Sequence, residues 1–168
     1  MITRKSSFLI AALAVLFFLV GVSPAAAQKR KLPDKAIVGT WLMVSMEYTG
    51  ESWKKVCGDD YSQIKYYGPT GEYACAEILK RGNNYYIYPH EYGTYTYNNG
   101  HYTEMGRQGV FIIKGNTARG RWYNRVDVWK KVRIPEELRK DVVWRCKVNA
   151  KPSARIQKMI HQYILNKK

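Results

Sequence analysis

The sequence predicts a mainly β domain: an antiparallel up-and-down barrel of about eight or nine strands, with one or two C-terminal α-helices packed outside it. Three observations carry that reading. Between Ile37 and Val132, short runs rich in Tyr, Val, Ile, Thr and Trp alternate with Gly, Asn and Pro turn signals at hairpin spacing. Within them, Asn99-Gly100 is a pair suited to a type I′ hairpin turn. After Val132 the apolar period changes from two to that of a helix. A meander of that length tends to close into a barrel, because closure removes its two edges.

The first strand spans Ile37 to Tyr48. Val38, Thr40, Leu42, Val44, Met46 and Tyr48 share one side at period two. Gly39, Trp41, Met43, Ser45 and Glu47 share the other, which is apolar near Trp41 and polar by Glu47. One end of this strand is therefore expected to be covered on both faces and the other to open to water. Gly39 permits close approach of a backbone or ring, and Trp41 is expected to plug the closed end. Thr49 to Asp60 reads as a long polar loop.

Further strands follow at Gln63–Tyr67, Glu72–Leu79, Tyr85–Tyr88 (stopped by Pro89), Gly93–Tyr97 and Val110–Lys114. The Asn99-Gly100 turn sets Asn98 opposite His101, Tyr97 opposite Tyr102, Thr96 opposite Thr103 and Tyr95 opposite Glu104. Ala118 to Val132 reads as one long strand, with Ala118, Gly120, Trp122, Val126 and Val128 on one side and Arg119, Arg121, Arg125, Asp127 and Trp129 on the other. Pro135-Glu136-Glu137 is a helix start, with Pro in the first turn and acids near the positive end of the dipole. Leu138, Val142, Val143 and Cys146 then recur at helical spacing. A second helix is expected after Pro152-Ser153, with Ile156, Met159, Ile160, Tyr163 and Ile164 on one stripe.

The predicted organisation is a signal peptide over 1–27, a flexible basic arm over 28–35, the barrel over 36–132 and a helical extension over 133–168. The leader has a basic start at Arg4-Lys5, an apolar run from Phe8 to Val20 and small residues at Ala25-Ala26-Ala27. Its apolar run of 13 residues is shorter than the ~20 a spanning helix needs. The expected location is therefore periplasmic or extracellular, and no membrane-spanning protein is expected. Three cysteines remain after cleavage, Cys57, Cys75 and Cys146, and three pairings are possible in an oxidising compartment. A Cys57–Cys146 link would tie the tail to the barrel and contribute ~4 kcal/mol on chain-entropy grounds. No two cysteines have metal-ligand spacing, so no metal and no cofactor is expected.

After the leader the chain carries 26 Lys and Arg against 13 Asp and Glu, with the excess strongest in residues 133–168. That balance allows attraction to an anionic surface. No Arg-rich block or nucleic-acid module accompanies it, so nucleic acid is not an expected partner.

Gly39-Thr40-Trp41 at the mouth of the first strand, followed by the meander, resembles the first-strand motif of the lipocalin and calycin barrels. More narrowly, the chain is similar to small secreted lipocalin-like proteins of unknown function from Gram-negative bacteria. Gly68-Pro69-Thr70-Gly71-Glu72-Tyr73 looks like a recurring hairpin of that group. The resemblance implies that a late-strand Arg covers the Trp41 ring; Arg119, Arg121, Arg125 and Arg133 are the candidates. It also implies that the first loop folds over the barrel mouth, which would make Trp53 a lid residue. The acidic turn motif of the larger animal lipocalins is not evident.

Tyrosine is the unusual feature, with 12 of the 14 lying between Tyr61 and Tyr123. They suit strands generally, and they also suit the wall of a cavity for a small amphipathic or aromatic ligand. The candidate ligand-binding residues are Trp41, Trp53, Tyr95, Tyr97, Tyr102, Glu104 and Trp122. If the tyrosine face of the hairpin is interior, Glu104 needs a partner there, and an inward Arg is the expected one. No nucleophile elbow and no metal-spaced histidine pair is present, so no catalytic residue is assigned. The expected function is binding of a small-molecule ligand. One alternative is an interaction module that uses the basic tail on an anionic polymer, membrane surface or protein. A third is a hydrolase with paired carboxylates.

Overall fold

The computed structural model describes residues 34–50, 54–55 and 60–151. The predicted leader, Trp53, Cys57 and the second predicted helix lie outside the described residues. Strand β1 (Gly39–Tyr48) is followed by the two-residue β2 (Lys54–Lys55), then β3 (Tyr61–Tyr67), β4 (Glu72–Arg81), β5 (Asn84–Asn98), β6 (His101–Glu104), β7 (Arg107–Lys114), β8 (Thr117–Trp122) and β9 (Arg125–Val132). Helix α1 (Glu136–Val148) follows them. Each strand from β3 to β9 pairs antiparallel with the next, and β9 returns to pair with β1. Eight strands thus close a barrel, and β2 is a short addition beside the end of β1.

The Asn99-Gly100 hairpin has the expected register, with Tyr95 opposite Glu104 and Tyr97 opposite Tyr102. Both turn residues adopt positive φ, 49° and 84°, as a type I′ turn requires. Three expectations about the strands need correction. The runs on either side of Pro89 form one 15-residue strand, because His90 is an extra residue between Pro89 and Glu91 in the ladder to β4. A proline is tolerated at such an irregularity. The last predicted strand is two, turned at Tyr123-Asn124 with Tyr123 at φ 42°. The turn inverts the parity beyond it, so Trp122, Arg125, Asp127 and Trp129 share one face. In β1, the register to β9 slips between Met43 and Ser45. Trp41 and Met43 face inward before that slip, and Met46 and Tyr48 do so after it, while Val44 is exposed.

Apolar residues on both faces of β3 and β4 serve two cores. Outward-facing Ile64, Tyr66, Ala74, Ala76, Ile78 and Ile87 lie under α1, which buries Leu138, Val142 and Cys146 against them. Each large aliphatic side chain buried there contributes up to ~1.5–3 kcal/mol. The inward-facing core fills the half of the barrel near Gly39. Trp41 meets Phe111 edge-on at 5.3 Å between ring centroids, and Tyr67 meets Tyr95 at 4.8 Å. The Trp41 indole N–H donates to the Ile37 carbonyl at 2.7 Å. The cation over the Trp41 ring is Lys131, 5.3 Å from its centroid, rather than one of the four candidate arginines. Gly39 makes room for it: a Cβ there would lie 2.9 Å from the Lys131 side chain, on a backbone with φ 131°.

Candidate functional site

The other half of the barrel opens to water and is lined by polar groups. Its inward-facing residues fall in cross-strand rows, read from the pairing of β3, β4 and β5. The floor row is Tyr67, Tyr73 and Gly93. Above it lie Lys65, Cys75 and Glu91, then Gln63, Glu77 and Tyr88, and at the rim Tyr61, Leu79 and Tyr86. Across the barrel, β6 to β9 contribute Glu104, Arg107, Trp122 and Arg125. These four, with Gln63, Lys65, Tyr73, Cys75 and Glu91 from the rows and with Tyr48, His90, Tyr123 and Asn124, line a cavity of about 220 Å³, open at the mouth.

Three ion pairs are built into this half. Lys65 donates to both oxygens of Glu104 at 2.9 Å, with 3% and 1% of these residues exposed. The Tyr67 hydroxyl also donates to Glu104. Burial, with the Glu104 charge second, pushes the Tyr67 phenol well above its ordinary value, so it remains a donor. The Lys65 ammonium sits among the rings of Trp129, Tyr73 and Tyr102, at 5.0, 5.5 and 5.8 Å. Glu104 thus has the partner its aromatic setting demands, and that partner is a lysine from β3 rather than an arginine.

The second pair joins Arg125 to Asp127. Arg125 Nη2 donates to Asp127 Oδ2 at 3.0 Å, while Arg125 Nε lies 2.9 Å from Oδ1 but out of line for a hydrogen bond. Burial raises the Asp127 carboxyl above its ordinary value despite the opposing pull of Arg125. The third pair joins Arg107 to Glu91. Burial alone would raise the Glu91 carboxyl, but its hydrogen bond and charge contact with Arg107 outweigh burial and hold it low. The Arg107 guanidinium lies over the Trp122 ring at 5.5 Å. Trp122 Nε1 is buried with no hydrogen-bond partner.

Hydrogen-bond capacity is therefore unevenly spent. Two guanidiniums with five N–H groups each, one ammonium and one orphaned indole N–H face three carboxylates. The donor excess suits an incoming acceptor. Cys75 lines the same wall, but burial pushes its thiol up to about 12, which leaves it un-ionised and weakly nucleophilic at neutral pH. Among the described residues, no three His, Cys, Asp or Glu side chains group as metal ligands. None of the described helices is long and apolar enough to cross a membrane.

The candidate residues from the sequence are divided between the two halves. Trp41, Tyr95 and Tyr97 lie in the closed half; the Tyr95 hydroxyl donates to the Gly68 carbonyl at 2.8 Å, and that of Tyr97 to Phe111 at 3.0 Å. Glu104 and Trp122 line the cavity, with buried Tyr102 packed edge-on against Trp122 at 5.5 Å. Cys146 carries a free thiol that donates to the Cys75 carbonyl at 3.1 Å. Sequence reasoning missed Lys65, Glu91, Arg107 and Arg125. A signal existed for Lys65, a lone charge at inward parity in Gln63-Ile64-Lys65-Tyr66-Tyr67. Arg125 was hidden by the missed turn at Tyr123-Asn124.

No protein-family model matches this sequence, and no curated protein matches it. The fold is consistent with a lipocalin-like barrel on its architecture.

Proposed function

We propose that the protein is a lipocalin-like binding protein for a small amphipathic ligand, held at the barrel mouth by an acidic group. The donor excess of the cavity carries this reading, above all the buried Trp122 N–H beside Arg107 and Arg125. A buried donor without a partner costs about 1–3 kcal/mol, which an acceptor on the ligand would recover. Trp122, only partly buried, offers a flat wall for its body. Glu91 and Glu104 are each tied to a cation, Glu91 is held low rather than raised as a general acid requires, and the raised Asp127 carboxyl is paired with Arg125. That pattern favours binding over hydrolysis. The leader-like start of the sequence favours action in the periplasm or outside the cell.

The test is a two-dimensional ¹H–¹⁵N titration with a panel of small carboxylic acids, following the indole N–H of Trp122 as assigned with Trp122→Phe. The expected result is a shift of that signal by at least one acid, lost in Arg125→Met. Acids that shift other signals but never this one would refute the reading.

A second reading rests on the outer face of β7 to β9. There Val110, Ile112, Val126 and Val128 form an apolar groove bordered by Lys114, Arg119 and Arg121, with Ile112 44% exposed. Apolar side chains rimmed by basic ones suit an anionic surface. Co-sedimentation with anionic vesicles that weakens steeply with salt is the expected sign; salt-insensitive or absent co-sedimentation would dismiss it.

A further inference from the structure

We infer that the ligand is an acidic saccharide: one hexuronic acid ring occupies the cavity, and the next rings lie along the inner face of the β4–β5 hairpin. This rests on the acidic-ligand reading above and adds the chemistry of the ligand's body. The first ground is the kind of polarity the cavity offers. Alongside its cationic donors it presents Glu91, Glu104, Gln63 and the Tyr73 hydroxyl. Tyr73 reaches Glu91 only at 3.3 Å, and Glu91 keeps lone pairs beyond those its ion pair uses. A fatty or aryl acid has acceptors at its head alone, and its apolar body would desolvate Glu91 without pairing it. A sugar ring carries hydroxyls, each donor and acceptor, around its edge, and apolar C–H faces that can rest on Trp122.

The second ground is size. The cavity's 220 Å³ falls below the range of about 300–1,000 Å³ for enclosed small-molecule sites. A ligand anchored there extends out through the mouth.

The third ground is what meets it. The ladder between β4 and β5 runs on to Arg81 opposite Asn84, while β3 ends opposite Leu79. The inner face of this hairpin carries two rows above the cavity, beside Gln63 and Tyr61 of β3: Glu77 and Tyr88, then Leu79 and Tyr86. Successive rows on one face are about 6.7 Å apart. The platform thus rises from the cavity in steps, with the Tyr86 and Tyr88 rings half-buried and 6.3 Å apart. Arg81 lies over the Tyr88 ring at 5.3 Å and Glu77 accepts from Tyr61 at 3.2 Å, so charged and polar groups stand among these rings. Aromatic rings interleaved with charged and polar groups suit a chain of sugar rings better than an alkyl chain.

The test is calorimetric titration of the purified protein with galacturonic acid, its linear trimer, a neutral maltotriose, hexanoate and benzoate, each also followed at the Trp122 indole N–H. The trimer is expected to bind at least tenfold more tightly than the monomer, and maltotriose far more weakly than the trimer. In Tyr86→Ala/Tyr88→Ala the ratio of trimer to monomer affinity is expected to fall at least fivefold. The half-buried positions of both rings make this variant foldable, to be checked by its circular dichroism. Trimer and monomer binding equally, or a ratio unchanged in the variant, would overturn the inference. If hexanoate or benzoate bound at Trp122 and the sugars did not, the inference would fail while the acidic-ligand reading stood. If none of the acids moved the Trp122 signal, both would fail.

Discussion

Replacing Glu104 by Gln keeps its shape and removes its charge. In the wild type both carboxylate oxygens accept from Lys65 at 2.9 Å, and one also accepts from Tyr67. In Glu104→Gln the Tyr67 hydroxyl still has an oxygen to meet, but the ammonium is left without a counter-charge at a residue 3% exposed. The surrounding Trp129, Tyr73 and Tyr102 rings offer cation–π attraction worth about 0.5–2 kcal/mol each, but none of them neutralises the charge as an anion in contact does. Breaking one side of a buried pair costs about 3–5 kcal/mol. At a urea slope of about 2 kcal/mol/M, the unfolding midpoint is expected to fall by about 2 M. Urea unfolding followed by tryptophan fluorescence measures this. The second half of the experiment is Lys65→Met/Glu104→Gln, which removes the stranded cation. Its stability is expected to return to within about 1 kcal/mol of wild type, because a buried ion pair gains little over uncharged groups of similar volume. A single variant that costs under about 1 kcal/mol, or a double variant as unstable as the single one, would refute the reasoning.

Three further outcomes are expected. Tyr102→Ala empties a site 3% exposed between Phe111 and Trp122, and should cost about 3–5 kcal/mol in urea unfolding; a loss below 1 kcal/mol would mean that this ring is not part of the core. Asp127→Asn removes the charge that offsets Arg125, so affinity for an acidic probe should rise at neutral pH, and an unchanged or weaker affinity would contradict the assigned role of Arg125. Glu91 is held below its ordinary value, so its ion pair adds stability that is complete above about pH 4.3 and is lost as pH falls through the folded-state value. The stability gap between wild type and Glu91→Gln should therefore close in acid, as read from urea midpoints between pH 3 and 7. A gap that widened in acid would reverse the sign of that linkage.

How much of this was legible in the sequence differs between the scaffold and the site. The barrel and its register followed from local chemistry: Asn99-Gly100 can serve as a type I′ turn, and that turn aligned four residue pairs as observed. The helix followed from Pro135 and from the spacing of Leu138, Val142 and Cys146. Parity over long strands was less secure, because a single extra residue inverts everything after it. Val44, His90 and the Tyr123-Asn124 turn each did this, and the last concealed that Trp122, Arg125 and Asp127 share an interior face. The site was harder still. Lys65 and Glu104 are 39 residues apart, and only closure of the barrel joins them. The tyrosines were visible as strand residues, but which of them plug the closed half and which face the mouth depends on how deep each row lies.

The most direct test of the central claim is native mass spectrometry of wild type and Arg107→Met/Arg125→Met, each incubated with the same equimolar mixture of galacturonic acid, hexanoate, benzoate and glycerol phosphate. The wild type is expected to retain at least one acid as a one-to-one adduct that disappears on denaturation, and the double variant to retain none. An adduct held equally by both proteins, or a wild type that retains nothing, would contradict a donor-lined acid site at the barrel mouth.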